Sequence, residues 1–370
     1  MVGGAVYAWH MRADPLLVCQ QDVQDKNNCY NKAIDATLKT HGLSAAFDLL
    51  AEAYNADPGY LATCHAETHE LGKEAYKEFH ATGRVELSDK TSYCGYGFYH
   101  GFMEELIYEN NNFDEARAFC SYAGTVVPNP PGYAEGACYH GVGHGVTDGT
   151  DPRVWGDAQK IAAPGLALCK EVAGGNTDHA YRCASGVFNA VALMYRDAKY
   201  QLTIGGEPFS LCGSPNFTTT EKDACYDQMN TLATFAANYH FGKAIAFTEE
   251  ISDPHYRELA VRGVAGTYFS TARGRKMIVS PKEVSGVCSA LTHDADACIT
   301  GVVVGIQEFG TPGAEYTDML LLCGSPDIQA SLLPACYSTL LSATKQFYGS
   351  VGLREVCTSV PDRYKQNLCV

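Results

Sequence analysis

Cys138-Tyr139-His140-Gly141-Val142-Gly143-His144-Gly145 and, 45 residues on, Cys183-Ala184-Ser185-Gly186-Val187-Phe188-Asn189-Ala190 are two copies of one pattern. A cysteine leads, a glycine follows three residues later, and apolar residues continue at helical spacing. The same frame opens CYNKAIDATL at Cys29, CGYGFYHGFM at Cys94, CYDQMNTLAT at Cys225, CITGVVVGIQ at Cys298 and CYSTLLSATK at Cys336. CHAETHELGK at Cys64 fits loosely, and RGVAGTYFST at Arg262 is a copy without cysteine. The steps from Cys94 through Cys138 and Cys183 to Cys225 are 44, 45 and 42 residues, and those from Cys225 through Arg262 and Cys298 to Cys336 are 37, 36 and 38. Periods of this size indicate helix-turn-helix units.

Each unit has a physical logic. A first helix is expected to end near a first cysteine, as at Phe209-Ser210-Leu211-Cys212. A loop rich in Gly, Pro, Asn, Asp and Thr follows. The second cysteine then opens a second helix, such as Cys225 to Tyr239, apolar at Met229, Leu232, Phe235 and Ala236. Small residues three positions after the cysteine (Gly97, Gly141, Gly186, Gly301) permit close approach of a neighbouring helix or a ligand. Strand signal is weak: Gly301-Val302-Val303-Val304 sits inside the repeat frame and reads as buried helix. The expected fold is all-α, with tandem αα-hairpin repeats in a solenoid or a toroid. No linker divides the chain. The organisation reads as an N-terminal helical unit over 1–60, histidine-rich repeats over 61–150 and a helical scaffold over 151–370, in one continuous domain.

The 16 cysteines fall into neighbouring pairs: 19/29, 64/94, 120/138, 169/183, 212/225, 288/298, 323/336 and 357/369. There is no C-x-x-C, which argues against zinc ribbons, thioredoxin-type motifs and covalent c-type haem. Regular local pairing predicts eight structural disulfides in chain order and an extracytoplasmic location: secreted, periplasmic or cell-surface. Val2–Trp9 is apolar but too short to span a bilayer, and reads as the remnant of a removed signal or anchor. Asn216-Phe217-Thr218 is a single glycosylation sequon. Hydrophobic content of 46% and charged content of 19% fit a globular protein, and a net charge of −15 disfavours nucleic acid as a partner.

Within this frame the histidines stand out. Three segments read Cys64-His65-x-x-x-His69, His100-x-x-x-Glu104 and His140-x-x-x-His144-x-x-x-Asp148. Residues i and i+4 share a helix face, so each segment is a comb of ligand-type side chains. The position six residues after the cysteine holds His100 and His144, but Asn189, Thr231, Val304 and Ser342 in later units, and Tyr268 in the cysteine-free one. Histidine is therefore no requirement of the repeat. Placed near helix starts, these rings would be held neutral by the helix dipole, and neutral imidazole is the metal-binding form. His65, His69, His100, Glu104, His140, His144 and Asp148 are the expected ligands of a transition metal (iron, copper or zinc), in a dinuclear centre or one metal with an outer shell. Five His with a Glu and an Asp is similar to the ligand inventory of hemerythrin-type di-iron proteins, though the motif order and the disulfide-rich repeat differ from theirs.

Glu67, Glu70, Glu105 and Asp178 are candidates for an outer shell or a general base. Tyr93, Tyr96, Tyr99, Tyr133 and Tyr139 crowd the same units, where packing is their default role. The glycines beside His100, His140 and His144 leave open a non-covalent haem. His10, His41, His80, His179, His240, His255 and His293 show no pattern. There is no Walker loop, G-x-S-x-G elbow or H-E-x-x-H. Two functions follow. One is an extracytoplasmic metalloprotein activating water or dioxygen, as an oxidoreductase or hydrolase on an unknown small molecule. The other is a repeat scaffold for a cell-surface protein partner, with a structural metal or none.

Overall fold

The computed structural model describes residues 15–21, 25–110, 112–127, 133–147, 151–274, 279–365 and 368–369. Asp148, His10, the Val2–Trp9 run and the loop from Pro128 to Gly132 lie outside them. Among the described residues there is no strand. The helices in chain order are α1 (Pro15–Gln21), α2 (Lys26–His41), α3 (Leu43–Ala56), α4 (Leu61–Thr82), α5 (Gly97–Asn110), α6 (Phe113–Val126), α7 (Tyr133–Gly145), α8 (Ala158–Ala173) and α9 (Thr177–Met194). They continue with α10 (Thr219–Gln228), α11 (Asn230–Ala236), α12 (Phe241–Ala246), α13 (Pro254–Gly274), α14 (Pro281–Ala290), α15 (Ala295–Phe309), α16 (Glu315–Cys323) and α17 (Leu333–Ser359). None is long and apolar enough to cross a membrane.

Local sequence sets the helix starts. Asn112, Asp157 and Asn176 accept backbone N–H bonds at the heads of α6, α8 and α9. Thr218 and Glu221 form a reciprocal capping box on α10. Ser280 caps α14, and Pro281 fills its first position, where no N–H is needed. All eight disulfides pair cysteines in chain order, and none is left free. Cys120–Cys138, Cys169–Cys183, Cys288–Cys298 and Cys323–Cys336 each tie one helix to the next.

The second helices of successive units pack side by side: α4 on α5, α5 on α7, α7 on α9, α9 on α10, α10 on α13, α13 on α15 and α15 on α17. Their direction follows from the glycine contacts. A β-carbon at Gly97 would lie 2.6 Å from the carbonyl oxygen of His65, and one at Gly101 would lie 1.9 Å from that of His69. Both partners advance by four, so α4 and α5 run parallel at backbone contact. Gly301 against Arg262 and Gly305 against Gly266, each at 2.3 Å, repeat the relation between α15 and α13. Val302 and Val303 are wholly buried inside α15.

The first and last parts of the chain meet. Gly95 N–H donates to Glu308 O at 3.0 Å, and Tyr54 Oη–H donates to Phe309 O at 3.0 Å. The Tyr133 and Phe347 rings are 4.9 Å apart. The end of α15 and the middle of α17 thus cover the starts of α5 and α7.

Three local expectations need correction. The second cysteine does not open its helix: α7 starts five residues before Cys138 and α9 six before Cys183. The cap of α9, Asn176, lies upstream of Cys183. The helix expected from Cys225 to Tyr239 is broken after Gln228, and Asn238 and Tyr239 adopt positive φ. At the break the Asn230 amide donates to the Asp227 carbonyl, competing with the helix ladder. At Cys212 the first helix shrinks to a 3-10 turn over Ser210–Gly213. Gly205, Gly206 and Pro208 upstream explain this: glycine raises the entropy cost of helix and proline lacks a donor.

Candidate metal centre

The parallel, glycine-spaced packing of α4, α5 and α7 brings five histidines together. His65 and His69 stand on α4, His100 on α5, and His140 and His144 on α7. Ring centroids of His65, His69 and His100 lie 4.8 to 5.2 Å apart, and those of His100, His140 and His144 lie 4.7 to 5.1 Å apart. His100, 7% exposed, belongs to both groups. In each triad the candidate ligand atoms lie within 4.8 Å of one another. Glu104, one turn along α5 from His100, reaches both groups: Oε2 is 3.4 Å from His69 Nδ1 and Oε1 is 3.8 Å from His144 Nδ1.

Hydrogen bonds fix the ring tautomers. His65 Nδ1 donates to Cys94 O at 2.7 Å, because a carbonyl can only accept. His69 Nδ1 donates to the Glu104 carboxylate. His140 Nδ1 donates to Ser185 Oγ at 2.8 Å, and that hydroxyl spends its own proton on Arg182 O. Each neutral ring therefore turns a bare Nε2 inward. His65 Nε2 and His69 Nε2 face each other at 3.2 Å, with His100 Nδ1 also 3.2 Å from His69 Nε2. With His65 and His69 in these tautomers the first contact is not a hydrogen bond, whereas His100 Nδ1–H is placed to donate to His69 Nε2. Two lone pairs at this distance repel, and a cation between them reverses the sign. Nitrogens bound to zinc at about 2.0–2.1 Å in a tetrahedron sit about 3.3 Å apart, close to the observed spacing. His144 Nε2 is buried without a hydrogen-bond partner.

Burial disfavours the charged form of His65, His100, His140 and His144. Burial, then the charge of neighbouring histidines, lowers His65 to about 4. Burial also takes His144 down to about 4. His100 and His140 are lowered well below the usual histidine value by burial and then by His144. His140 stands two turns inside α7, so the helix dipole, which fades within the first turn, is not the cause the sequence pattern suggested. Burial pushes the Glu104 carboxyl up, but the His69 hydrogen bond, with His69, His144 and Lys73 nearby, leaves it below the ordinary value.

Of the expected ligands the structure brings together His65, His69, His100, Glu104, His140 and His144; Asp148 is outside the described residues. The proposed outer shell fares differently. Glu67 is buried among Asp35, Glu70 and Tyr60, on the α2 side of α4. Glu70 pairs with Lys73, and Asp178 lies 3.9 Å from Arg182. Glu105 acts on the charges of Lys73 and Lys77. The groups that orient the rings are the Cys94 carbonyl, Ser185, Glu104 and, for His144, Asn189. Ser185 was missed, yet the frame held the signal: it occupies, two residues after Cys183, the place of His140 after Cys138. Among the tyrosines, Tyr99 bonds Thr91 and Tyr139 stacks on His179, which are packing roles. The glycine space that would admit a flat macrocycle is filled by helix backbone: a β-carbon at Gly141 would meet Tyr99 O at 2.4 Å.

No known protein family, curated protein or solved structure matches the chain.

Proposed function

We propose that the chain is an extracytoplasmic metalloprotein whose helical-repeat scaffold holds two transition-metal ions side by side. His65, His69 and His100 hold one, and His100, His140 and His144 the other. Glu104 spans the two, as a carboxylate able to place one oxygen toward each. His100 lies between the groups and has two ring nitrogens, one for each side. The observation that carries the reading is the opposition of two bare imidazole nitrogens at 3.2 Å, their tautomers fixed from outside by a carbonyl and a carboxylate. Such outer hydrogen bonds are the usual companions of metal-bound histidine. The eight disulfides support an oxidising compartment, and with it the reading of a secreted, periplasmic or cell-surface setting.

Bound metal would supply Lewis acidity or electron transfer toward water or dioxygen. The protein's own part is to fix the imidazole tautomers, exclude bulk water by burial and keep Glu104 ionised beside His69. The test is elemental analysis of protein prepared without chelators and offered zinc, copper and ferrous iron separately. About two equivalents of one metal are expected. Absence of stoichiometric binding of all three ends the reading and leaves the repeat scaffold as the protein's role.

A further inference from the structure

The polar contacts of the metal centre continue past its own helices. The α7 and α9 helices pack at backbone contact, a β-carbon at Gly186 lying 2.0 Å from His140 O. Across this seam His140 Nδ1 meets Ser185 Oγ, 45 residues on, at 2.8 Å. One turn along both helices the same offset pairs His144 with Asn189, its hydrogen-bond partner. Each of these two stands six residues after its cysteine, Cys138 or Cys183. Glu104 does not replace this contact: its Oε1 is 3.8 Å from His144 Nδ1, beyond hydrogen-bond distance.

Asn189 is itself held from the next unit. Its Nδ2 donates to Gln228 Oε1 at 3.3 Å, and Gln228 Nε2 donates to Asp227 Oδ2 at 2.9 Å. Asp227 also receives Tyr181 Oη–H at 2.9 Å, and Arg262 Nη2 lies 3.9 Å from it. That end sets the direction of the chain. A carboxylate only accepts, so Gln228 turns its NH2 to Asp227 and its oxygen to Asn189. Asn189 then gives an N–H to Gln228, which leaves Oδ1 for His144. An amide oxygen also only accepts, so the His144 nitrogen that meets it carries the ring proton and the other is bare. The contact does favour a proton on the ring. Asparagine competes with helix backbone and is a weak helix former, yet Asn189 stands inside α9 beside Val187 and Phe188, both wholly buried.

We propose that Asn189 is a positioning residue for His144: Asp227, through the Gln228 amide, orients Asn189, and Asn189 selects the tautomer that leaves one His144 nitrogen free for metal. The part in metal binding rests on the metal-centre reading, whereas the tautomer is a property of the chain alone. The device resembles that at His140 with one difference. Ser185 hands its own proton to a backbone carbonyl, but Asn189 depends on a carboxylate two side chains away.

Nitrogen-15 spectra of histidine-labelled, chelator-treated protein at about pH 8, above the ordinary histidine range, read the tautomer of each ring. His144→Ala identifies the His144 signals. Zinc uptake is measured separately, by competition with a chelator. The wild type should show a single His144 tautomer. Asn189→Leu should give a mixture. Asp227→Asn should do the same, although it keeps the side-chain shape and touches no contact of His144; a merely structural role for Asn189 would not respond to it. This second variant also decides the matter if Asn189→Leu fails to fold. In zinc titrations both variants should weaken one equivalent by about 10–100-fold and leave the other unchanged. Tautomers that respond in this way in a chain that takes up no zinc would end the metal-centre reading and leave the positioning role in place. Two His144 tautomers in the wild type, or a single one that neither substitution disturbs, would overturn the proposal.

Discussion

Gly101 rests on the carbonyl of His69, and Gly305 rests on the carbonyl of Gly266. The α4–α5 and α13–α15 pairs are thus joined by the same backbone contact, and each is parallel. The faces beside those contacts differ. In the early pair, His65, His69, His100 and Glu104 stand where ring centroids approach to about 5 Å. In the late pair the position six after Cys298 is Val304, and Val302 and Val303 are fully buried. Close helix approach is therefore common to both pairs. Histidines and a carboxylate line it in one region, and the other region shows the same packing without them.

The largest expected effect tests that division directly. His100 belongs to both histidine triads, so His100→Ala should remove nearly all bound metal, as measured by elemental analysis. Ser342→Ala, at the corresponding frame position of a late unit, should leave metal content unchanged. Helicity should survive in both, since the disulfides and the other units still hold the chain. Equal loss of metal in the two variants would erase the comparison.

The two regions should also answer to pH with opposite sign in chelator-treated protein. His65 and His144 fall to about 4 when folded, against an ordinary 6.5. Their contribution to stability is complete above 6.5 and is lost as pH falls toward 4. Burial raises Glu315 to about 8, from an ordinary 4.5. Its contribution is complete below 4.5 and is lost as pH rises toward 8. Each set is worth a few kcal/mol at most. Denaturant melts should show stability falling on both sides of a middle range. Glu315→Gln should flatten the alkaline limb and leave the acid limb in place. An alkaline limb unchanged by Glu315→Gln would refute the assignment.

Glycine substitution sharpens the structural half. Gly101→Ala and Gly305→Ala each force a β-carbon into a neighbouring carbonyl, at 1.9 and 2.3 Å, so each should cost about 1–3 kcal/mol through overpacking. Thermal melts should show both losses. Only Gly101→Ala should also weaken metal binding, because its contact sets the distance between the α4 and α5 combs.

How far this was legible beforehand depended on the range of the cause. The repeat frame, the disulfide partners and the ligand combs are local patterns, and spacing alone exposed Cys138, His140 and His144. Helix starts were misplaced because the cap decides them: Asn176 lies seven residues before the cysteine that marks the frame. Glu67 was read as an outer-shell group from its nearness in sequence, but two positions from His65 on a helix is close to the opposite face. The meeting of Gly95 with Glu308 joins residues 213 positions apart, and no local pattern announces it. The two histidine groups share His100, and Glu104 reaches both, which only the packing of α5 between α4 and α7 makes visible.

The smallest expected effect is the most specific. Ser185 touches no proposed metal position; it receives the Nδ1 proton of His140 and passes its own to Arg182 O. Ser185→Ala leaves the backbone, the disulfide at Cys183 and all five histidines in place. It frees His140 to adopt the other tautomer, which turns an N–H toward the cluster. Loss of such an orienting hydrogen bond typically weakens metal binding by about 10–100-fold. The first triad does not include His140, so competition titration with a chelator should resolve one weakened equivalent and one unchanged. The late-region control is Thr300→Ala, which removes the exchange between Thr300 and Thr339 hydroxyls at 3.2 Å, the same two-residue offset from Cys298. It should leave both equivalents unaltered. If Ser185→Ala weakens both equivalents together, the two groups behave as a single centre, and the shared-histidine arrangement must be redrawn as one metal with an outer shell.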